Sequence, residues 1–305
     1  MTHVYSSLHD SFVACILGGA IGDAWGSSFE NEVTPPAATF YLGGKPAVSR
    51  RWTITDDTQL TLATCEVLAN GPFDPELLAE QFRVYYRQAK LVGLGASTLK
   101  AVREMEAGIH WTQTGRRGQY AAGNGAAMRV APFAFYSATT RQHLYDACRI
   151  THQNEEAYVG SLAVYLAIKA ATARTWNGRN NLISLILPEL PDTNLKDRLL
   201  TINEYPRTAT IADVAHLGNN GYVVNSVPFA IFCATKILDL GLAGLLQQLI
   251  ATGGDTDTNA SIAGQLAGAL VGLAGIPTEL LLKLERLPEY QWIKSIINQT
   301  LPSLE

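Results

Sequence analysis

Two short acidic segments, far apart in the chain, carry the residues best suited to chemistry. In GGDTDTN, Gly253 to Asn259, two aspartates alternate with two threonines directly before a long apolar stretch. In TDDT, Thr55 to Thr58, two adjacent aspartates lie between threonines, again at the start of an apolar stretch. Carboxylate and hydroxyl oxygens are hard ligands that suit Mg²⁺, Mn²⁺ or Ca²⁺ better than metals that prefer thiolate. The two segments would suit a pair of divalent ions if the fold brought them together.

Helix capping is the alternative explanation for these residues. Aspartate and threonine are preferred at helix N-termini, because their oxygens accept hydrogen bonds from free backbone N–H groups. One carboxylate per helix start would need no other explanation, whereas each segment has two. The helix dipole stabilises an added anion by only ~0.3–1 kcal/mol, which does not offset repulsion between close carboxylates. Either segment alone leaves capping and metal binding open, and the pair favours metal binding.

Helical periodicity dominates the elements that must position these segments. Apolar residues recur at helical spacing from Phe12 to Ala20, Leu60 to Leu68, Ile231 to Leu238 and Ile262 to Leu270. The segment from Leu162 to Ala170 is apolar on nearly every side, which predicts a central helix. Strict alternation of apolar and polar residues is nearly absent. We therefore predict an all-α fold: a single compact multi-helix domain spanning residues 1–305.

Small residues are frequent within the expected helices. They are Gly18, Gly19, Gly22, Gly160, Gly264 and Gly268. Glycine inside a helix is less stable than alanine by about 0.5–1 kcal/mol, so we expect these positions to allow close contact between helices.

Composition limits the possible classes of protein. Of 305 residues, 47% are hydrophobic and 16% charged, which predicts a large core, and the net charge of −4 gives no reason to expect a polyanion-binding surface. No apolar run reaches the ~18–20 residues of a membrane span, and the first residues lack the pattern of a signal peptide. The four cysteines are widely separated in apolar settings and are interpreted as reduced core residues of a cytoplasmic protein.

Six motifs together resemble those of the ADP-ribosylglycohydrolase family, which includes dinitrogenase-reductase-activating glycohydrolase and the ADP-ribosyl-acceptor hydrolases. In chain order they are GGAIGDAWGSSFE (18–30), TDDTQLTLA (55–63), GNGAAMRVAP (123–132), THQNEEAYVGSLAV (151–164), NGYVVNSVPFA (220–230) and GGDTDTNASIAGQLAGAL (253–270). The resemblance covers nearly the whole chain. TDDT with GGDTDT is the most specific pair.

The resemblance implies an all-α fold with a dinuclear Mg²⁺ or Mn²⁺ centre in a cleft. The implied ligands are Thr55, Asp56, Asp57, Asp255, Asp257 and Thr258, with Asp257 bridging the ions. Two ions ~3.5–4 Å apart can hold substrate oxygens and orient a water molecule. Glu30 corresponds to a family glutamate that takes part in metal coordination or catalysis, and a solvated surface glutamate is the alternative. Glu30, Asp56 and Asp57 are the candidates for the carboxylate that transfers the proton.

The remaining motifs are expected to bind the ADP-ribose part of a ligand. Gly123, Asn124 and Gly125, followed by a helix starting near Ala126, are typical of an anion-binding loop, although a tight turn is the alternative. The resemblance implies that this loop contacts the ribose and diphosphate, with Met128 and Arg129 close by, although Arg129 could equally form a buried ion pair with an acid. It also implies that His152 lies near the ribose or diphosphate, with a core or cap residue as the alternative. Tyr222 is expected to stack on adenine, or else to lie in the core. The irregular segment 30–53 suits a mobile loop over the site.

These expectations converge on a metal-dependent hydrolase that releases ADP-ribose from an acceptor, most simply an arginine side chain. The substrate would be an ADP-ribosylated protein or a small ADP-ribose conjugate. A serine linkage, O-acetyl-ADP-ribose and a modified base remain open as acceptors, while membrane and other nucleic-acid partners are not expected. We expect a monomer. The alternatives are a dinuclear hydrolase acting on a nucleotide-sugar or phosphoester, and a non-catalytic relative that binds ADP-ribose or has a structural role.

Overall fold

Helices form nearly all the regular structure of the computed structural model, which describes residues 7–30 and 50–304. The α-helices are α1 (Leu8–Glu30), α2 (Asp56–Ala69), α3 (Pro75–Arg87), α4 (Ala96–Glu106), α5 (Arg141–Arg149), α6 (Glu155–Thr172), α7 (Leu182–Ile186), α8 (Asn194–Asn203), α9 (Ile211–Ala215), α10 (Val223–Ala234), α11 (Ile237–Ile250), α12 (Thr256–Val271), α13 (Thr278–Glu285) and α14 (Tyr290–Thr300). Two short parallel strands, β1 (Arg116–Arg117) and β2 (His152–Gln153), pair Arg116 with His152. The all-α prediction is confirmed.

Helices α1 and α12 pack against each other so closely that only glycine fits along their contact. A Cβ atom at Gly18 would lie 2.4 Å from the carbonyl oxygen of Gly264, and one at Gly22 would lie 2.1 Å from that of Ala260. At the far end, a Cβ atom at Gly268 would lie 2.0 Å from the carbonyl oxygen of Ala14. The partner numbers fall as those of α1 rise, so the helices are antiparallel. The expected close packing at glycines is confirmed.

The antiparallel pairing brings the end of α1 to the start of α12. The Thr256 hydroxyl donates a hydrogen bond to the carbonyl oxygen of Gly26 at 2.8 Å. A Cβ atom at Gly26 would lie 2.6 Å from the Cα atom of Asp257, so the two backbones touch here as well. Glu30, the last residue of α1, therefore lies beside the second acidic segment.

Helix α2 is joined to α1 by the buried Asp23. Its carboxylate accepts hydrogen bonds from the backbone N–H groups of Thr55 and Thr58, at 2.9 and 3.1 Å, and from both threonine hydroxyls. A carboxylate with this many donors holds the start of α2 in place. Three helix termini thus converge on one point: the end of α1 and the starts of α2 and α12.

The most enclosed helix is α12 and not the segment from Leu162 to Ala170. Every residue of α12 from Thr256 to Leu270 is buried, whereas Tyr165, Leu166 and Lys169 leave one side of α6 partly exposed. The burial of α12 was not evident from the sequence, because several of its residues are polar. In the fold these residues are buried, since they form hydrogen bonds with distant segments. No helix within 7–30 or 50–304 is long and apolar enough to cross a membrane. Most of the loop expected over the site lies at 31–49, outside the described residues.

Candidate active site

Carboxylates from the ends of two helices form a cluster at this convergence. Glu30, Asp255 and Asp257 each offer an oxygen atom within 4.8 Å of the other two. The cluster continues into the first acidic segment, because the hydroxyl of Thr258 donates a hydrogen bond to Oδ2 of Asp57 at 3.1 Å. The two segments that the sequence analysis paired are therefore in contact, and Glu30 adjoins them.

The geometry separates capping from other roles at the two helix starts. Thr55 caps α2, since its hydroxyl oxygen accepts a hydrogen bond from the backbone N–H of Asp57. Asp255 occupies the equivalent position before α12 but makes no capping hydrogen bond with its side chain. Its Oδ2 atom instead accepts a hydrogen bond from the Asn124 side chain at 2.7 Å. Capping thus explains Thr55 and does not explain Asp255.

Burial, and then the charges of neighbouring carboxylates, raise the pKa values of Glu30, Asp56, Asp57 and Asp257. Burial, and then the charge of Asp23, raises the pKa of Asp56 to about 8. Burial and neighbouring aspartates raise the pKa values of Asp57 and Asp257 well above their usual range. Partial burial, followed by the charge of Asp255, raises the pKa of Glu30. Holding all these groups ionised requires a compensating positive charge.

The residues present fit divalent cations. Oδ1 of Asp57 is buried and has no hydrogen-bond partner among the described residues, although a buried polar atom normally has one. The surrounding donors are carboxylate and hydroxyl oxygens, the hard ligands that Mg²⁺ and Mn²⁺ prefer. A cation beside Asp57 would satisfy the orphaned oxygen and reduce the repulsion between the carboxylates.

The glycine-containing loop at 123–125 lies directly beside the acidic cluster. Gly123 forms a β-bridge with Tyr222, and the Asn124 backbone N–H donates to the carbonyl oxygen of Gly221 at 3.2 Å. The Asn124 side chain then reaches Asp255, as described above. The loop, the segment around Tyr222 and the second acidic segment are thus one connected unit.

The helix expected near Ala126 is not formed, and that prediction was wrong. Residues 125–129 form turns, and a 3₁₀ helix follows at Ala131–Phe135. Proline at 132 has no N–H group to bond the carbonyl oxygen of Met128, as an α-helix would require. That oxygen instead accepts hydrogen bonds from the side chains of Gln265, at 2.8 Å, and Thr61, at 3.3 Å. Any anion at this loop would meet turn N–H groups without a helix dipole.

His152 forms the floor under the same loop. A Cβ atom at Gly125 would lie 2.9 Å from the ring atom Cε1 of His152, and one at Gly123 would lie 3.2 Å from Nε2. Burial, and then the positive charges of Arg129 and Arg116, lower the pKa of His152 to about 3, so the ring is neutral. Met128 also lies in this region, but its side chain is buried in the apolar core.

An open cleft of about 600 Å³, lined in part by Ala122, adjoins the loop. Tyr222, with 40% of its surface exposed, and Tyr120, with 75% exposed, both line it. Aromatic rings that remain this exposed are available to stack on a planar ligand. Tyr120 is not among the site residues predicted from the sequence. An aromatic residue within the irregular, glycine-rich segment 107–125 was the signal that could have indicated it.

Comparisons with known proteins agree over almost the entire chain. The family model described as ADP-ribosylglycohydrolase matches residues 5–304. ADP-ribosylhydrolase ARH3 of Danio rerio is 29% identical, over 87% of this chain and 84% of that protein. ADP-ribosylarginine hydrolase Tri1 of Pseudomonas putida is 26% identical, over 88% of this chain and 73% of that protein. A solved structure described as an ADP-ribosylglycohydrolase-related protein complex has the same fold, with a TM-score of 0.70, 24% identity and coverage of 97% and 98%.

Proposed function

The chain belongs to the ADP-ribosylglycohydrolase family, and on this premise we propose that it hydrolyses the bond joining ADP-ribose to an arginine side chain of a modified protein. It is a hydrolase acting on ADP-ribose glycosidic bonds, the class to which its named homologues belong. The arginine acceptor is proposed by analogy with the ADP-ribosylarginine hydrolase Tri1. We propose that residues 1–305 act as one catalytic domain and as a monomer.

The observation that carries the proposal is the hydrogen bond between Asn124 and Asp255, at 2.7 Å. It joins a group of carboxylates to a loop of the kind that binds a sugar diphosphate. We assign the distal ribose, with its acceptor, to the carboxylate side of this contact. The diphosphate belongs at Gly123–Gly125 and His152, and the adenine ring in the cleft between Tyr120 and Tyr222.

The reaction replaces the bond between the anomeric carbon and the acceptor nitrogen with a bond to a water oxygen. Positive charge develops on the sugar in such a transition state. A carboxylate takes the proton from the attacking water, and the departing arginine nitrogen takes up a proton in its place, which restores the carboxylate. We propose that Glu30 is the carboxylate that accepts the proton from the water. Its side chain is partly buried but still reaches solvent, and its pKa is raised, so it can exchange a proton with solvent, whereas Asp56 and Asp57 are buried.

We also propose that the site binds two divalent cations, Mg²⁺ or Mn²⁺. Their ligands would be Thr55, Asp56, Asp57, Asp255, Asp257 and Thr258. When bound, such ions supply positive charge that fixes substrate oxygens and lowers the pKa of water. The orphaned Oδ1 atom of Asp57 supports this assignment.

The test is release of ADP-ribose from an arginine-ADP-ribosylated protein. Reactions would contain Mg²⁺, Mn²⁺ or EDTA, with Asp257→Ala as the inactive control and Asp192→Ala, an exposed aspartate outside the site, as the matched control. We expect metal-dependent release that Asp257→Ala loses and Asp192→Ala keeps. Release that persists in EDTA would contradict the metal requirement.

If arginine-linked ADP-ribose is not released, parallel assays with other substrates identify which part of the proposal is wrong. Release only from serine-linked ADP-ribose, O-acetyl-ADP-ribose or a modified base would replace the acceptor and keep the reaction class. Hydrolysis of a phosphoester or free nucleotide-sugar alone would overturn the reaction class. Binding of ADP-ribose without turnover on any substrate would indicate a non-catalytic relative.

A further inference from the structure

A buried arginine connects the glycine-containing loop to His152 through a threonine. The Arg129 guanidinium donates to the carbonyl oxygen of Gly125 at 2.7 Å, to that of Ala147 at 2.9 Å and to the hydroxyl oxygen of Thr151 at 3.0 Å. That hydroxyl lies 2.7 Å from Nδ1 of His152. Arg129, Thr151 and His152 are 2%, 0% and 3% exposed, so water does not compete for these bonds.

The donor and acceptor capacities of these groups determine the direction of each bond. A guanidinium only donates, so Arg129 occupies a lone pair of the Thr151 hydroxyl oxygen. The hydroxyl proton must then go to an acceptor, and among the described residues Nδ1 of His152 is the one within reach. Because Nδ1 accepts, the proton of a neutral imidazole lies on Nε2.

Nε2 of His152 lies against the glycine-containing loop. Cβ atoms at Gly123 and Gly125 would lie 3.2 and 3.3 Å from it, so a larger residue at either position would crowd the ring. Among the described residues, none accepts a hydrogen bond from Nε2. This N–H group is therefore left to donate to a ligand oxygen held by the loop.

We infer that Arg129 and Thr151 are positioning residues, which hold His152 as the neutral tautomer protonated on Nε2 so that it donates a hydrogen bond to a ligand oxygen beside Gly123–Gly125. The ligand part of this inference rests on the proposed function. A neutral imidazole forms a weaker hydrogen bond to a diphosphate oxygen than an imidazolium would, which suits a site that must release its product.

The first measurement is the protonation pattern of the His152 ring by ¹⁵N NMR on the ligand-free protein, with the signal assigned by its loss in His152→Gln. We expect a neutral ring with Nε2 protonated throughout pH 5.5–8. Thr151→Val, which is nearly isosteric but lacks the hydroxyl, should change this protonation pattern. Thr151→Ser, which keeps the hydroxyl, should show the native pattern. Thr300→Val is the matched control, since Thr300 is fully buried and its hydroxyl bonds only within its own helix and away from the site. Protonation on Nδ1 or a charged ring in the native protein would overturn the inference.

The second measurement is ADP-ribose binding by calorimetry. Thr151→Val should weaken binding about tenfold, the effect of losing one well-oriented hydrogen bond, while Thr151→Ser and Thr300→Val bind like the native protein. In turnover assays we expect Thr151→Val to raise KM far more than it lowers kcat. Unchanged binding in Thr151→Val would overturn the ligand role of His152. The expected tautomer in a protein that binds no ADP-ribose would overturn the proposed function while keeping the positioning by Arg129 and Thr151.

Discussion

The two acidic helix starts contain the same residue types but are held in different ways. The start of α2 is capped by Thr55 and is fixed from α1 by Asp23, whose carboxylate receives backbone and hydroxyl donors. The start of α12 has no side-chain cap, and its Asp255 is held by Asn124, 131 residues away. Protein contacts thus fix the backbone of the α2 start, although Oδ1 of Asp57 has no hydrogen-bond partner among the described residues. At the α12 start, Asp255 and Asp257 instead lie beside Glu30, with oxygen atoms within 4.8 Å of one another, a grouping that suits a cation.

Among these predictions, substitution of Asp257 should have the largest effect on turnover. A loss of turnover without a loss of stability would show that the α12 start serves activity. We expect Asp257→Ala to reduce turnover by more than about 100-fold, the upper range seen when groups around a metal are altered. Without metal its melting temperature should equal or exceed that of the native protein, because a buried like charge is removed. Calorimetric melting with and without Mg²⁺ checks this, since only the native protein should be stabilised by the ion. A large loss of metal-free stability would break the contrast between the two helix starts.

Glu30 tests whether the end of α1 belongs to the chemistry. We expect Glu30→Gln to lower kcat about 100-fold, because a general base typically contributes at least that much. ADP-ribose binding should change less than about twofold, since the variant keeps the size and polarity of the side chain. Steady-state kinetics with calorimetric binding measure both quantities. Glu279→Gln, on an exposed helix start, is the control, and full turnover in Glu30→Gln would remove Glu30 from the mechanism.

Substitution of Asp23 tests the other helix start, that of α2, where we expect an effect on stability. We expect Asp23→Ala to lower the free energy of unfolding by about 2 kcal/mol, because it removes the carboxylate that accepts hydrogen bonds from Thr55 and Thr58 and leaves these buried donors unpaired. Urea denaturation of the metal-free protein measures the change, with Asp192→Ala as the reference. A variant that loses turnover without any loss of stability would contradict the structural role assigned to Asp23.

Tyr120 should have the smallest effect, because it lies on the cleft and away from both helix starts. We expect Tyr120→Ala to raise KM about fivefold with little change in kcat, from the loss of stacking worth about 1 kcal/mol. Tyr120→Phe keeps the ring and should behave like the native protein. An equal loss of kcat in both variants would assign the hydroxyl, and not the ring, to the reaction.

Much of the fold could be predicted because its signals are local. The periodicity of Phe12–Ala20 and Ile262–Leu270 predicts helices, and the glycines within them predict close contact. Which helices touch was not predictable, since Gly18 could pack against any small residue. The helix expected near Ala126 failed for a local reason, the missing N–H of Pro132, and for a distant one, the hydrogen bond from Gln265 to the carbonyl oxygen of Met128.

The sequence by itself determined the donor chemistry of the site: hard oxygen ligands in two segments, a glycine-containing loop and the family to which their order belongs. Only the tertiary structure decided which of these groups act together. Asp23 accepts from Thr55 across 32 positions, and Asn124 holds Asp255 across 131. Hydrogen bonds depend on distance in space and not along the chain, so the same aspartate can be a cap or a ligand until the packing of α1 against α12 fixes its neighbours.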